Sequence, residues 1–270
     1  MSVDAKAWRK HLESKELAPN TIESYLCSLR QYASRYDEVS KANIIRYKRD
    51  LIASGKRPKT VNCRILAMNQ YADWIGVHCD VKPIRTQGSH TLDKVISVEE
   101  KDRLLRGLEA DADMQGWAMV ATLASTGVRV GELVQLQKTL LSDGRQVITN
   151  KGKTRKVYAP QSLIESVSDY YQSVSGPWLF FPHDRDGYCP ITCRAVSYRL
   201  KRYAQLYGVP ADVCHAHSFR HLFGKEFMKR NGNITLLADL MGHSSIATTQ
   251  IYTRMSEQEQ LAMLSEVVTW

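Results

Sequence analysis

The chain has 270 residues, 43% of them hydrophobic and 24% charged, which is enough for two ordinary domains that each bury a core. Lys and Arg outnumber Asp and Glu by 37 to 28, giving a formal charge of +9 and a pI near 9.2, and this balance suits a polyanionic partner bound by counterion release. No apolar run approaches the ~20 residues of a membrane span, and Met1-Ser-Val-Asp-Ala-Lys6 is too polar for a secretory signal. Cys27, Cys63, Cys79, Cys189, Cys193 and Cys214 follow no disulfide rhythm, so a cytoplasmic protein with reduced thiols and no membrane partner is expected.

Helix signals repeat through the first 82 residues. Asp4 can cap a helix through Leu12, Pro19-Asn-Thr21 opens a second with Leu26, Leu29 and Tyr32 at core spacing, and Ser40 opens a third. A fourth is predicted from Lys59-Thr60, where Val61, Ile65, Met68, Ala72 and Ile75 recur at three and four. This part is the more basic one, with 15 Lys and Arg against 9 Asp and Glu. Lys56, Arg57, Lys59 and Arg64 lie near the start of the fourth helix, where they can meet phosphates; the plainer alternative is a solvated face of a helical bundle. Residues 83–95, rich in proline, glycine and polar side chains, are expected to be a linker.

Beyond the linker, Ser97-Val-Glu-Glu100 has a capping-box arrangement, and Trp117 to Ser125 is apolar enough for a buried helix that Gly127 ends. A helix over Val128 to Leu136 is predicted next, with Arg129 in its first turn. Alternation predicts strands at Gln146 to Asn150 and Lys156 to Ala159, joined by a cationic turn with Lys151, Lys153 and Arg155. A helix follows over Ser218 to Lys229 with Phe219, Leu222, Phe223 and Phe227 inward. A turn at Asn231-Gly-Asn233 leads to a short helix over Leu236 to Met241. Ser244 or Ser245 then caps a last helix carrying Tyr252.

Two arginines, two histidines and a late tyrosine suit nucleophilic attack on a phosphodiester. Its nonbridging oxygens need neutralising as charge builds, and the fork-shaped, permanently charged guanidinium does this best; Arg129 and Arg220 are the candidates. A tyrosine hydroxyl titrates near pH ~10, so Tyr252 needs a base or cationic surroundings, which His217 and His243 can supply. The leaving sugar oxygen needs a proton, for which Lys151 and Lys153 are placed. Singly, each has an ordinary alternative: Arg129 and Glu132 are a possible i, i+3 ion pair, the histidines possible core or cap residues, and Tyr252 one aromatic among 13 tyrosines.

The ordered set Thr126-Gly-Val-Arg129-Val-Gly-Glu132-Leu133, a lysine before a turn glycine, His217-Ser-Phe-Arg220, Gly242-His243 and Tyr252 nine residues later resembles the tyrosine recombinase (integrase) family across roughly residues 96–255. The resemblance implies a fold that is mainly α with a small antiparallel β-sheet. It further implies a four-helix core-binding domain over 1–82 and a catalytic domain over 96–270 ending in an oligomerisation tail. It places Arg129, Lys151, His217, Arg220, His243 and Tyr252 on the catalytic positions. Glu132 orients Arg129, and His221, directly after Arg220, is a supporting candidate that can pair with backbone or phosphate; Lys153 and Arg155 join Lys56, Arg57, Lys59 and Arg64 as DNA-binding candidates. The implied reaction is cleavage and rejoining of double-stranded DNA at paired sites through a 3′-phosphotyrosine link. It needs no metal or other cofactor and runs in a homotetramer, in the cytoplasm with the nucleoid. Ala216, Phe219 and Arg254 depart from the family's usual proline, leucine and histidine, and none of these changes removes a catalytic group. The alternatives are a DNA-binding regulator or architectural protein on an inactive recombinase fold, and a metal-dependent phosphodiesterase, for which the carboxylate cluster is missing.

Overall fold

The computed structural model describes residues 4–85, 95–150, 153–243 and 245–253, with Ser265 and Val268. The chain divides into two compact units, Met1–Gly88 and Ser89–Trp270. Among the described residues no helix is long and apolar enough to cross a membrane.

The first unit holds α1 (Ala5–Ser14), α2 (Pro19–Ala33), α3 (Lys41–Ala53) and α4 (Pro58–Trp74). Asp4 caps α1 by accepting from the Ala7 N–H at 2.8 Å, and Ser40 caps α3 from Asn43. The helices α2 and α4 open on proline, whose missing N–H costs nothing in a first turn. Trp8 is fully buried, with Tyr71 edge-on at 5.0 Å; Leu12, Leu26, Leu29, Tyr32, Tyr47 and Met68 belong to the same core. Burial of each such apolar side chain is worth about 1.5–3 kcal/mol. Ile75, expected on the buried face of α4, is 40% exposed, because the helix stops at Trp74 and Gly76 turns the chain away at a φ of +78°.

The segment after α4 folds back along it. Asn69 donates to the Val81 carbonyl at 3.0 Å and accepts from the Val81 N–H at 3.3 Å; Asn62, two turns earlier, does the same with Ile84 at 2.9 and 2.7 Å. Each amide satisfies both backbone groups of one residue, as a neighbouring strand would. The chain is thus pinned to the first unit through Ile84, inside the stretch expected as linker from residue 83. Ile96 is already buried in the second unit, its N–H bonded to the Ser218 hydroxyl at 2.7 Å.

The second unit comprises α5 (Val98–Ala110), α6 (Met114–Thr126), α7 (Val130–Leu133), α8 (Thr139–Asp143), β1 (Arg145–Asn150), β2 (Lys153–Tyr158), α9 (Gln161–Gln172), α10 (Cys193–Leu206), α11 (Ala216–Asn231) and α12 (Ile234–Met241). The capping box of Ser97 and Glu100 starts α5. The central α6 is buried on nearly every side, and α5, α9 and α11 pack around it. The strands β1 and β2 form one antiparallel pair, Arg145 opposite Tyr158 through Asn150 opposite Lys153.

Three elements differ from expectation. The helix predicted over Val128 to Leu136 is the single turn α7, and Arg129 precedes it as cap residue in extended conformation. The return strand starts at Lys153 rather than Lys156, since antiparallel pairing continues up to the turn. Tyr252 ends the second of two 3-10 turns, Ile246–Thr248 and Gln250–Tyr252, instead of sitting on an α-helix. Ser245 caps the first turn, and the β-branched residues Ile246, Thr248, Thr249 and Ile251 disfavour a longer helix.

Candidate active site

Arginine and carboxylate build the floor of the site. The Glu132 side chain, 3% exposed, reaches back to accept the Arg129 backbone N–H at 2.7 Å and the Arg129 guanidinium at 2.9 Å. Its other partner is Arg155, Nη2 at 2.7 Å. Burial alone would lift the Glu132 pKa, but the Arg129 N–H and the two guanidinium groups outweigh it and hold the carboxyl below the usual range.

Arg155, expected on DNA, has its side chain turned into the protein. In the β register it stands opposite Ile148, which is buried, and cross-strand partners share a face. Its side chain is 10% exposed, and besides Glu132 it donates to the Leu240 carbonyl at the end of α12. The following Gly242 has a φ of +61°, and a Cβ there would overlap the Arg155 Cδ, so only glycine allows the chain to turn this close to the guanidinium. Lys151 lies outside the described residues. Lys153 opens β2 opposite Asn150.

Arg220, on α11, is 1% exposed. Its Nη1 donates to the Gly127 carbonyl at 2.6 Å where α6 ends, its Nη2 to the Met241 carbonyl at 2.7 Å, and Nη2 also lies 2.8 Å from His243 Nε2. Burial first, then Arg129 and Arg155, bring its pKa down to about 10, which leaves it charged at neutral pH. A guanidinium can only donate, so His243 Nε2 is the acceptor and the proton sits on Nδ1, which donates to Thr249 Oγ1 at 2.7 Å. His243 is thereby held neutral. Burial and the three arginines push its pKa down to about 4, in keeping with that tautomer.

Tyr252 is 6% exposed and packs with Leu237, Met241, Phe223 and Phe227. Burial raises its hydroxyl pKa to about 12, and Arg220 and Arg129 work against that rise. The hydroxyl lies 3.0 Å from His221 Nδ1. His217, one turn earlier on α11, is exposed and meets His221 edge-on at 4.3 Å between ring centroids. Five elements therefore converge: the start of α7, β2, α11, the end of α12 and the 3-10 turns. Lys56, Arg57, Lys59 and Arg64 belong to the other unit, the first three exposed and Arg64 partly buried around the start of α4.

Residues 94–259, more than half of the chain, match the phage integrase family. The chain belongs to the phage integrase family. This integrase is 26% identical over 253 residues to tyrosine recombinase XerA of Pyrococcus furiosus, covering 91% of this chain and 87% of that protein. It is 28% identical over 273 residues to tyrosine recombinase XerD of Rhizobium meliloti, covering 89% and 86%. In fold it is similar to a lambda integrase dimer bound to a COC′ core site, with a TM-score of 0.73 and 17% identity over 94% of this chain and 95% of that one. Membership makes it a tyrosine recombinase, an enzyme of DNA strand cleavage and rejoining.

Sequence reasoning about this integrase missed Thr249, fully buried and oriented toward His243, and the carbonyls of Gly127, Met241 and Leu240 that hold the arginines. Thr249 lay within reach of a sequence signal, being a hydroxyl six residues after one candidate histidine. The carbonyls had none, since every residue carries one.

Proposed function

We propose that this integrase recombines DNA at specific paired sites with Tyr252 as nucleophile. The Tyr252 oxygen attacks the scissile phosphorus, the bond to the 5′ oxygen breaks, and the strand is held as a 3′-phosphotyrosine ester. The freed 5′-hydroxyl of a partner strand then attacks the ester and releases the tyrosine. Arg129, 41% exposed on its side chain, and Arg220 neutralise the nonbridging oxygens. His243 steadies Arg220. Its two ring nitrogens are committed to Arg220 and Thr249, so the proton of Tyr252 is assigned to His217, passed on through His221, to which the hydroxyl is bonded. Lys151 protonates the leaving oxygen, with Lys153 as the second candidate. The observation that carries this reading is the gathering of Arg129, Arg220, His243 and Tyr252 from separate elements, with His243 bonded to Arg220 and Tyr252 packed on Met241, whose carbonyl Arg220 holds.

The test is to trap the enzyme on a nicked duplex whose cleavage lets the 5′ fragment diffuse away. An SDS-resistant adduct is expected, with peptide mass spectrometry placing the nucleotide on Tyr252; its location on another residue refutes the assignment.

The first unit is assigned to the DNA core. A cleft on it is lined by Arg35, Lys56 and Arg64 with the buried Tyr47, a fitting seat for a backbone phosphate. Arg64→Ala and Lys56→Ala are each expected to weaken binding to all sequences alike and to reduce the slope of log affinity against log salt by about 1. An unchanged slope in a filter-binding titration refutes that seat.

Recombination between paired sites needs four active sites, and we assign the assembly to a homotetramer. The segment Met255 to Trp270, outside the described residues except Ser265 and Val268, carries Leu261, Met263, Leu264, Val267 and Trp270. It suits docking on a neighbouring subunit, and an apolar groove lined by Val98, Trp117, Leu163, Leu222, Phe223 and Phe227 offers a matching surface.

A further inference from the structure

We propose that His221 is a positioning residue for the nucleophile: its Nδ1 fixes the Tyr252 hydroxyl in the orientation from which it attacks phosphorus. The inference rests on the reading of Tyr252 as nucleophile. Its first support is the 3.0 Å separation of His221 Nδ1 and the Tyr252 oxygen, which join α11 to the last 3-10 turn across 31 residues of sequence. We assign the hydroxyl as donor and Nδ1 as acceptor, with the imidazole proton on Nε2, since the imidazole nitrogen is the more basic of the two atoms. The hydroxyl hydrogen then points at the ring, and the oxygen lone pairs point away from it.

A second, independent feature fixes the tyrosine ring itself. Gly224 follows His221 by three residues and so lies on the same face of α11. A Cβ at Gly224 would come within 2.6 Å of Tyr252 Cε1, so the bare backbone is the seat on which the ring lies. His217, edge-on against His221, holds the imidazole plane from the other side. Together His217, His221 and Gly224 make one helical stripe along which the nucleophile is laid.

Proton abstraction is a poor second role for His221. Burial, then His217 and Arg220, take its pKa down to about 4, while burial takes Tyr252 up to about 12. A resting ion pair of the two is thus disfavoured. A neutral acceptor that holds the hydroxyl without keeping its proton is what remains. An oriented nucleophile is worth a large factor, since a misplacement of about 1 Å costs up to about 100-fold in rate.

The experiment compares single-turnover cleavage of the nicked duplex by wild type, His221→Phe and His221→Asn, with DNA affinity measured alongside. Phenylalanine keeps a ring of similar size but has no acceptor, whereas the asparagine amide falls where Nδ1 lies. His221→Phe is expected to cleave about 10 to 100 times more slowly at unchanged affinity, and His221→Asn to return to within a few-fold of wild type. Wild-type cleavage by His221→Phe overturns the proposal, as does equal slowing in both variants. If His221→Phe does not melt cooperatively, His221→Ala takes its place with the same two outcomes. An adduct that survives in Tyr252→Phe overturns the nucleophile assignment separately, whatever the His221 variants do.

Discussion

Tyr252→Phe is expected to yield no SDS-resistant adduct and to lower strand cleavage by roughly 10⁴-fold or more, while the protein folds and binds DNA as before. Only one oxygen is removed. The ring keeps its seat on Gly224 and its contacts with Phe223, Phe227 and Met241, so the packing contribution stays intact. What is lost from the fold is the hydrogen bond to His221, worth about 1 kcal/mol net. The expected result is therefore a separation: a small change in the denaturation midpoint, unchanged retardation of a duplex, and no covalent product. A variant that unfolds, or one that still forms the adduct at wild-type yield, contradicts this account.

Glu132→Ala is expected to strike stability first and activity through it. The carboxylate is the anionic partner of both Arg129 and Arg155, and the Arg155 guanidinium is almost wholly enclosed. Removing one partner of a buried pair leaves an uncompensated charge, which costs about 3–5 kcal/mol. The alanine also removes the acceptor for the Arg129 backbone N–H, loosening the turn that aims Arg129. Urea denaturation should show the loss, and at temperatures where the variant is folded cleavage should fall more than DNA binding. A loss of under about 1 kcal/mol means that Arg155 finds water or another acceptor. Because the Glu132 pKa is lowered in the folded chain, its contribution is fully present above the unfolded value near 4.5 and is lost as pH falls through the lower folded one. The stability gap between wild type and Glu132→Gln should therefore narrow in acid.

Much of the architecture was legible because its signals are local. Asp4, Ser40 and Ser97 sit three residues before the N–H groups they cap, Gly127 takes the left-handed turn that ends α6, and the apolar spacing of Leu26, Leu29 and Tyr32 points into the core. The helices α8, α9 and α10 were passed over. In α10 the pattern was present, with Val196, Leu200, Tyr203 and Ala204 buried at helical spacing. The turn α7 is shorter than expected because Val130, Leu133 and Val134 keep helical spacing, and spacing alone does not say where a helix stops.

The sequence by itself determined the chemistry: which cations, histidines and tyrosine the chain owns, in which order, and hence its kinship with the phage integrases. Only the tertiary structure decided how those groups are used. Arg155 went inward because the hairpin register set it opposite Ile148. The His243 tautomer followed from Arg220 on one side and Thr249 on the other, and His221 became the partner of the Tyr252 hydroxyl. The reason is one of range. Caps and turns depend on neighbours a few residues away, whereas the bonds from Arg220 to Gly127 and from Tyr252 to His221 span 93 and 31 residues of chain and exist only once separate elements have packed.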